Sequence, residues 1–214
     1  MNDFLETLHE SHQLQSNNPG KIKVNKLSWI LHYPLWPLFW IGGLLFFIAL
    51  SLLIHWGFWF LVAFFMFTNW VYWMQVDDRF ENGDSTPSII VNLDPMLIAV
   101  SSDLTKGYGS YPIIKIIEKE VPNICGREPQ LGMKLATVSL YRVDFKNKHR
   151  WKNIDPRPID CVCDNIHAKQ RILESFTADE WQELIEKLKQ IPQPYECGLY
   201  PIEPWDDDPP SYSQ

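Results

Sequence analysis

Two cysteines and a histidine in the C-terminal half of the chain are the first candidates for chemistry. Cys161 and Cys163 stand two residues apart, and His167 follows after three more residues. On a β-strand, residues at this spacing point to the same face. Thiolate and imidazole bind Zn²⁺ in proteins, so Cys161, Cys163 and His167 form a candidate metal or redox site. The competing interpretation is that the thiols are small apolar core groups, since the Cys-x-x-Cys signature is missing.

A second group of candidate residues is aromatic, and several of its members fall in predicted loops between strands. The group comprises Tyr108, Tyr111, Tyr141, Trp151 and Tyr200. Aromatic side chains anchor many surfaces that bind peptides or proteins, so a partner-binding groove is one interpretation. The other is that these rings cap the core of a sheet or barrel.

The sequence contains no arrangement typical of acid–base or nucleophilic catalysis. His149 and His167 each have an acid nearby in the chain, but such roles depend on geometry rather than on proximity in sequence. The glycine turn at 106–110 lacks the Gly-Lys-Ser/Thr ending of a phosphate-binding loop. We therefore predict no cofactor and no catalytic residues, and leave open whether the protein is an enzyme.

A long uncharged segment separates the chain into two parts. From Leu27 to Val76 there is no Asp, Glu, Lys or Arg. One helix of that length would measure about 75 Å, whereas the hydrocarbon core of a bilayer is about 30 Å thick. The segment must therefore fold back, and we predict two membrane-spanning helices near 37–54 and 58–76. The bend between them falls at His55, Trp56 and Gly57.

The charges flanking this hairpin predict its orientation. Lys21, Lys23 and Lys26 precede the first span, and the bend carries no positive charge. Because positively charged flanks stay on the cytoplasmic side, both chain ends and the C-terminal domain are expected in the cytoplasm.

The net charge of −7 lies entirely in the part of the chain that follows the hairpin. Residues 1–76 hold three acids and three lysines, so residues 77–214 carry all of the excess. Nucleic-acid affinity comes largely from Lys and Arg, and we expect no nucleic-acid partner. The expected partners are the lipid bilayer and another membrane-associated protein.

The C-terminal part alternates short β-like runs with turn signals and ends in helices. Strands are predicted at 88–91, 96–101, 112–118, 134–143 and 158–163. Thr177 and Glu180 have the spacing of a capping box, with Phe176 and Trp181 placed as a hydrophobic staple. An apolar stripe then runs to Ile191, and a shorter helix at 166–175 precedes this one. The fold class is α+β: a transmembrane hairpin followed by a mostly antiparallel β-domain with one or two C-terminal helices.

The domain organisation follows from these elements. We predict a polar segment at 1–26, the hairpin at 27–76, a turn-rich linker at 77–87, the α+β domain at 88–202 and an acidic, Pro-rich disordered tail at 203–214. Residues 209–212 match the Pro-Pro-x-Tyr pattern that proline-binding modules recognise.

Several short motifs resemble a known family. They are Tyr-Gly-Ser-Tyr-Pro at 108–112, Ala-Thr-Val-Ser-Leu-Tyr at 136–141, Trp-Lys-Asn-Ile-Asp-Pro-Arg-Pro-Ile at 151–159, Trp181, and Gly-Leu-Tyr at 198–200. Together they resemble an uncharacterised bacterial family known only as a domain of unknown function, over about residues 94–202. The resemblance implies a bacterial inner-membrane protein and brings neither an activity nor functional residues.

The leading functional hypothesis is a non-enzymatic, membrane-tethered cytosolic binding or scaffold module. A membrane-anchored enzyme or metal/redox protein, with its site near Cys161, Cys163 and His167, is the first alternative. The second is a hairpin that oligomerises in the membrane, because Gly42 and Gly43 permit close approach of helices.

Overall fold

The computed structural model describes residues 18–106, 109–144 and 149–203. Within these ranges the α-helices are α1 (Lys26–His32), α2 (Leu35–Leu53), α3 (Trp59–Asn82), α4 (Ile166–Ser175) and α5 (Ala178–Leu188). The strands are β1 (Asp84–Leu93), β2 (Met96–Asp103), β3 (Pro112–Glu118), β4 (Lys134–Arg142), β5 (Asn153–Pro158) and β6 (Gly198–Pro201). The α+β fold class predicted from the sequence is confirmed.

Helices α2 and α3 form the predicted hairpin, joined by a 3₁₀ turn at Trp56–Phe58. Both are long and apolar enough to cross a membrane. Of the most apolar 18-residue stretch of each, only 11% and 6%, respectively, is buried within the protein. The ring of Phe65 lies where a Cβ on Gly43 would stand, so glycine at this position allows the helices to touch. The hydroxyls of Ser51 and Thr68 bond to carbonyls of their own helices, as apolar surroundings require.

Helix α3 does not stop at the end of the predicted span but continues into the C-terminal domain. Val76 and Phe80 are each 1% exposed, and β1 begins directly after Gly83. A Cβ on Gly83 would lie 2.1 Å from the carbonyl oxygen of Arg79 and 2.6 Å from the Val138 side chain, so only glycine fits there. The passage 77–87, predicted as a linker, consists instead of the end of α3, this glycine and the start of β1.

The residues before α1 belong to the domain as well. The backbone N–H of Gly20 donates to Gly83 O at 3.1 Å, and that of Ile22 donates to Phe80 O at 3.1 Å. Ile22 and Val24 are buried in the core. The end of the segment predicted as merely polar is therefore an extended strap that fastens the chain to the end of α3.

The described strands form one six-stranded antiparallel sheet in the order β5-β4-β1-β2-β3-β6. Helix α5 packs on β1, β2 and β3, and α4 packs on β4. The sheet curls, as an isolated bridge between Thr105, after β2, and Arg150, before β5, shows. In the sheet order, β1 and β4 lie between these two strands. Strands β1, β2 and β4 consequently bury side chains of both faces.

One predicted strand is misplaced. Strand β5 covers Asn153–Pro158, whereas residues 159–161, inside the predicted strand 158–163, form a 3₁₀ turn. Strand β5 passes through Pro156 and Pro158, because an edge strand tolerates proline wherever its N–H would face away from the sheet. The short edge strand β6 was also not predicted.

The C-terminal helices agree with the capping signals. The Asn165 side chain accepts from the N–H groups of His167 and Ala168 at the start of α4. Thr177 and Glu180 form both bonds of the capping box, and the rings of Phe176 and Trp181 are 5.4 Å apart as the staple requires. Helix α5 ends at Leu188, and Ile191 is still buried beyond it.

Phe80→Ala tests whether the end of α3 is part of the domain core. Removing this buried ring, which packs edge-on against Trp29 at 5.6 Å, should cost about 3–5 kcal/mol. Thermal unfolding of the full chain in detergent, followed by protease resistance of the C-terminal domain, measures the loss. Phe67→Ala is the matched control, since Phe67 lies on the same helix and is 60% exposed. Equal melting temperatures for the two variants would contradict the continuous helix.

Candidate functional site

The structure does not assemble the predicted cysteine–histidine site. Cys161 ends the 3₁₀ turn and is fully buried, with Sγ 3.8 Å from Glu120 O. Cys163 is also buried, and its Sγ lies 3.8 Å from Asn165 O. His167 lies exposed in the first turn of α4. Among the residues described, no group of three His, Cys, Asp or Glu side chains could hold a metal ion.

Burial also makes the two thiols poor nucleophiles. It raises the pKa of Cys161 to about 11, although the nearby ammonium of Lys119 lowers that pKa in part. Burial likewise raises the pKa of Cys163, against a backbone contact with Asn165 that lowers it. Because the thiolate is the reactive form, both side chains stay protonated and unreactive at neutral pH. Their surroundings are those of core residues.

Thiol labelling distinguishes core cysteines from reactive ones. In the folded chain at pH 7.5, a maleimide should modify the exposed Cys197 at least tenfold faster than Cys161. Since the raised pKa limits the thiolate of Cys161, its labelling should rise as the pH approaches 11. Mass spectrometry of timed digests measures both rates, and denaturant should equalise them. Rapid labelling of Cys161 at neutral pH in the native chain would restore it as a chemical site.

Three of the predicted aromatic residues meet at one end of the sheet. Tyr111 and Trp151 are buried, Tyr141 is half-buried, and the Tyr141 and Trp151 rings are 5.7 Å apart. Leu104 joins them through the backbone: its N–H donates to Tyr111 O and its carbonyl accepts from Trp151 N–H. Tyr200 lies elsewhere, on edge strand β6, and donates to Glu196 O at 2.9 Å. Tyr108 lies outside the described residues.

The hydroxyl of Tyr141 belongs to a buried polar network that crosses three strands. It donates to Asp84 Oδ2 at 3.1 Å and lies 3.0 Å from Ser102 Oγ. Burial raises the pKa of Tyr141, and the Asp84 carboxylate raises it further. Beside it, Thr86 Oγ1 lies 2.8 Å from the hydroxyls of both Thr137 and Ser139. Satisfied buried hydroxyls fix the register of β1 against its neighbours rather than offering reactive groups.

Cations surround these rings, and the sequence analysis did not single them out. Lys106 Nζ lies 5.2 Å from the Trp151 ring centroid, and Arg150 Cζ lies 5.8 Å from that of Tyr111. Arg142 and Lys152 are exposed on the same end of the sheet. The local charge could have indicated this surface, because residues 141–152 contain five Lys or Arg and a single acid in a protein of net charge −7. We call Lys106, Arg142, Arg150 and Lys152 the basic end.

Trp151→Ala separates packing from recognition at this end. Because Trp151 is 4% exposed, its truncation should cost the domain about 3–5 kcal/mol and lower its melting temperature. The measurement is thermal unfolding of the full chain in detergent. The control Trp70→Ala removes a ring that is 60% exposed on α3 and should leave the domain transition in place. A Trp151→Ala protein that melts like the wild type would assign this ring to a binding surface instead.

A second cluster lies where the hairpin joins the domain. Tyr33, between α1 and α2, stacks on Trp29 with ring centroids 4.5 Å apart. Two cations lie over its ring: Lys119 Nζ is 4.2 Å and Arg157 Cζ is 4.4 Å from the ring centroid. Burial raises the pKa of Tyr33, so its hydroxyl stays neutral. These contacts, which we call the junction cluster, clamp the entry to the first span against the domain.

Helix α1 is fastened to the second span as well. Trp29 Nε1 donates to Tyr72 Oη at 2.7 Å, and Lys26 Nζ lies 3.9 Å from Asp77 Oδ2 and 5.3 Å from the Trp73 ring. The entry to α2 and the exit from α3 are thus held together at one level. Aromatic and basic groups at this level match the composition of a membrane interface.

The exposed apolar hairpin and the curled sheet define the class: a membrane-associated α+β protein. The chain belongs to the family described as "Protein of unknown function (DUF3239)", whose model matches residues 73–192. The predicted family resemblance is thereby confirmed, and the match begins inside α3 rather than at 94. A crystal structure described as "a putative membrane protein from Corynebacterium diphtheriae" is similar over 56% of this chain and all of that chain, with 17% identity and a TM-score of 0.46. No curated protein matches the sequence.

Proposed function

We propose that this protein is a membrane-anchored, non-enzymatic binding module that presents its basic end at a fixed position above the cytoplasmic face of a bacterial inner membrane. The observation that carries the proposal is the unbroken helix α3, which is apolar and exposed at one end and buried in the domain core at the other. Such a helix holds the domain rigidly, whereas a flexible linker would only restrict its distance from the membrane.

Orientation of the hairpin rests on the basic residues before α1. Lys21, Lys23 and Lys26 precede the first span, and the turn at Trp56–Phe58 lacks a basic side chain. This asymmetry favours cytoplasmic placement of both chain ends and therefore of the domain.

The basic end lies at the opposite end of strand β2 from the turn that borders α1. The β1–β2 turn lies beside the end of α1, because Leu93 and Met96 line the same groove as Leu31 and His32. Strand β2 then runs to Asp103, about 24 Å along the strand from Met96. The basic end begins three residues later at Lys106. This end of the sheet also contains Asp84, which follows α3 after Gly83 and accepts from Tyr141 Oη, so the basic end has a fixed position relative to the anchor.

The chemistry of the basic end favours an acidic partner segment. Arg142 is two-thirds exposed and pairs loosely with Asp155 at 3.9 Å, and Lys152 is exposed. Opposite charges on a partner would steer it to this end, while the rest of an acidic domain repels it. Fixed presentation at the membrane raises the effective concentration toward membrane-associated partners.

The two alternatives receive less support from the structure. A redox or metal function needs Cys161, Cys163 and His167 to converge, but among the described residues no three such side chains lie together in a way that could hold a metal ion. Oligomerisation through glycines loses Gly43, which is occupied by Phe65 of the same hairpin. Gly42 has no neighbour within 4 Å of its Cβ position, but one outward glycine does not form an interface motif.

Site-specific photo-crosslinking in living bacteria tests the proposal. A photoreactive amino acid at Lys152 should give a reproducible crosslinked band in the membrane fraction, whereas the same substitution at the exposed Lys189 on the helical face should not. Arg142→Glu should weaken the Lys152 crosslink severalfold because it reverses a charge at the basic end, and Lys189→Glu is its control. Alkaline carbonate washing of the same membranes should leave the full-length chain in the pellet.

Two outcomes contradict this function separately. Release of the chain by carbonate would remove the anchor, and with it the argument for fixed presentation. A retained chain that gives no band at Lys152, or one unaffected by Arg142→Glu, would remove the basic end as the binding surface.

A further inference from the structure

We propose that the membrane-proximal end of the sheet docks on the lipid surface of the bilayer that the hairpin spans, through Leu31, Leu93 and Leu131. This inference rests on the proposed membrane anchor and adds a second contact between the domain and the lipid. The three leucines are 72%, 46% and 66% exposed, and they come from α1, from the β1–β2 turn and from the loop before β4. We call them the leucine rim.

Two members of the leucine rim, Leu31 and Leu93, line one groove, and the third, Leu131, follows a lining residue closely in the chain. A cavity of about 490 Å³ is lined at once by α1, the β1–β2 turn and the loop after β3. Its lining residues are Leu31, His32, Leu93, Met96, Lys119, Glu120, Val121, Pro122 and Pro129. Leu131 follows Pro129 closely in the chain, and the N–H of the next residue, Gly132, donates to Ile90 O near the end of β1.

Contacts across the groove hold these segments as a single surface. Lys119 Nζ donates to the backbone carbonyl of His32 at 2.7 Å, which ties the end of β3 to the end of α1. Lys119 also contacts the Tyr33 ring within the junction cluster. Burial, then the charge of Lys119, lowers the pKa of His32, so the imidazole adds no charge at neutral pH. The rim therefore presents leucine side chains on a rigid support.

Distance along the chain places this surface at the lipid headgroups. Helix α2 has 19 residues and is about 28 Å long, which matches the hydrocarbon thickness, so Leu35 marks its boundary. His32 is three residues before Leu35 and lies no more than about 11 Å from it. The headgroup layer on each side is about 5–8 Å thick. Side chains around His32 thus reach that layer, and exposed leucines there gain from burial in it.

The apolar character of the contact identifies lipid, rather than an anionic ligand, as the occupant. The domain is acidic as a whole, so an anionic leaflet does not attract it by net charge. Docking through leucines should accordingly be insensitive to salt and should not require anionic lipid. Within the chain, Leu31 is also only four residues from Leu35, where the exposed apolar surface of α2 begins.

Depth-dependent quenching in reconstituted vesicles tests the docking. A fluorophore attached at Gln130→Cys, next to Leu131, reports on the rim, and the same fluorophore at Gln190→Cys reports on the far end of α5. Both chains carry Cys125→Ser and Cys197→Ser, and both glutamines are exposed. In phosphatidylcholine vesicles, nitroxide lipids labelled near the headgroup should quench Gln130→Cys at least threefold more than Gln190→Cys. Added phosphatidylglycerol or salt should change this little.

The charged double variant Leu93→Asp with Leu131→Asp provides the second measurement. It should reduce quenching at position 130 to the level at position 190, and its melting temperature should stay unchanged because both leucines are exposed. Carbonate retention is measured on every sample. A retained chain with equal quenching at the two positions overturns the docking while leaving the anchor intact. A chain released by carbonate overturns the anchor itself. Quenching that appears only with phosphatidylglycerol and at low salt would show electrostatic attraction and would also overturn the leucine rim.

Discussion

One helix with two different surroundings is the constraint on which this structure depends. Along α3, residues such as Phe67 and Trp70 are exposed, whereas Val76 and Phe80 are sealed in the core of the domain. A helix is stiff, so the position and rotation that suit one environment determine those available in the other. The strap at Gly20–Ile22 and the junction cluster then secure the same helix from its sides. The apolar exposed part and the domain core are therefore connected through one continuous helix.

This constraint explains where the polar and charged groups of the domain lie. The sheet buries a network of hydroxyls around Thr86 and Tyr141, which fixes strand register without offering reactive groups. Two groups of cations stand out among the described residues. Lys119 and Arg157 hold the junction cluster, and the basic end concentrates positive charge on an otherwise acidic protein. The site that the structure offers is therefore a surface.

The elements with strong local signals could be predicted, and those decided by tertiary contacts could not. A charge-free segment from Leu27 to Val76 defines the hairpin whatever follows it, and the bonds of Thr177 with Glu180 are local by nature. Strand β5 forms because it pairs with β4. Its two prolines are unusual in a strand, so this pairing is not evident from the sequence. The residue types at 81–87 are typical of a turn, but no loop separates α3 from β1. Glycine is required at position 83 because a Cβ there would clash with the Arg79 carbonyl, one helical turn earlier, and with the Val138 side chain of β4.

The candidate site shows the same division. Tyr111, Tyr141 and Trp151 meet at one end of the sheet, whereas Tyr200 lies on β6, and the sequence does not tell which of these rings are buried. The sequence predicts a strand on which Cys161 and Cys163 share one face, but residues 159–161 form a 3₁₀ turn. The spacing of two residues therefore does not place both thiols on one face. The basic end could have been found from charge alone, yet its position at the far end of β2 from the groove beside α1 depends on the direction of that strand.

The prolines of β5 affect whether another strand can pair with this edge of the sheet. Proteins confined to two dimensions meet one another often, and an open sheet edge invites a neighbour to add its own strand. Pro156 and Pro158 lie opposite Ser139 and Thr137 and have no N–H, so they remove donors from the side of β5 that faces away from β4. At this edge an incoming strand finds acceptors without matching donors. The two prolines thus leave the outer side of β5 with fewer donors than a further strand would need.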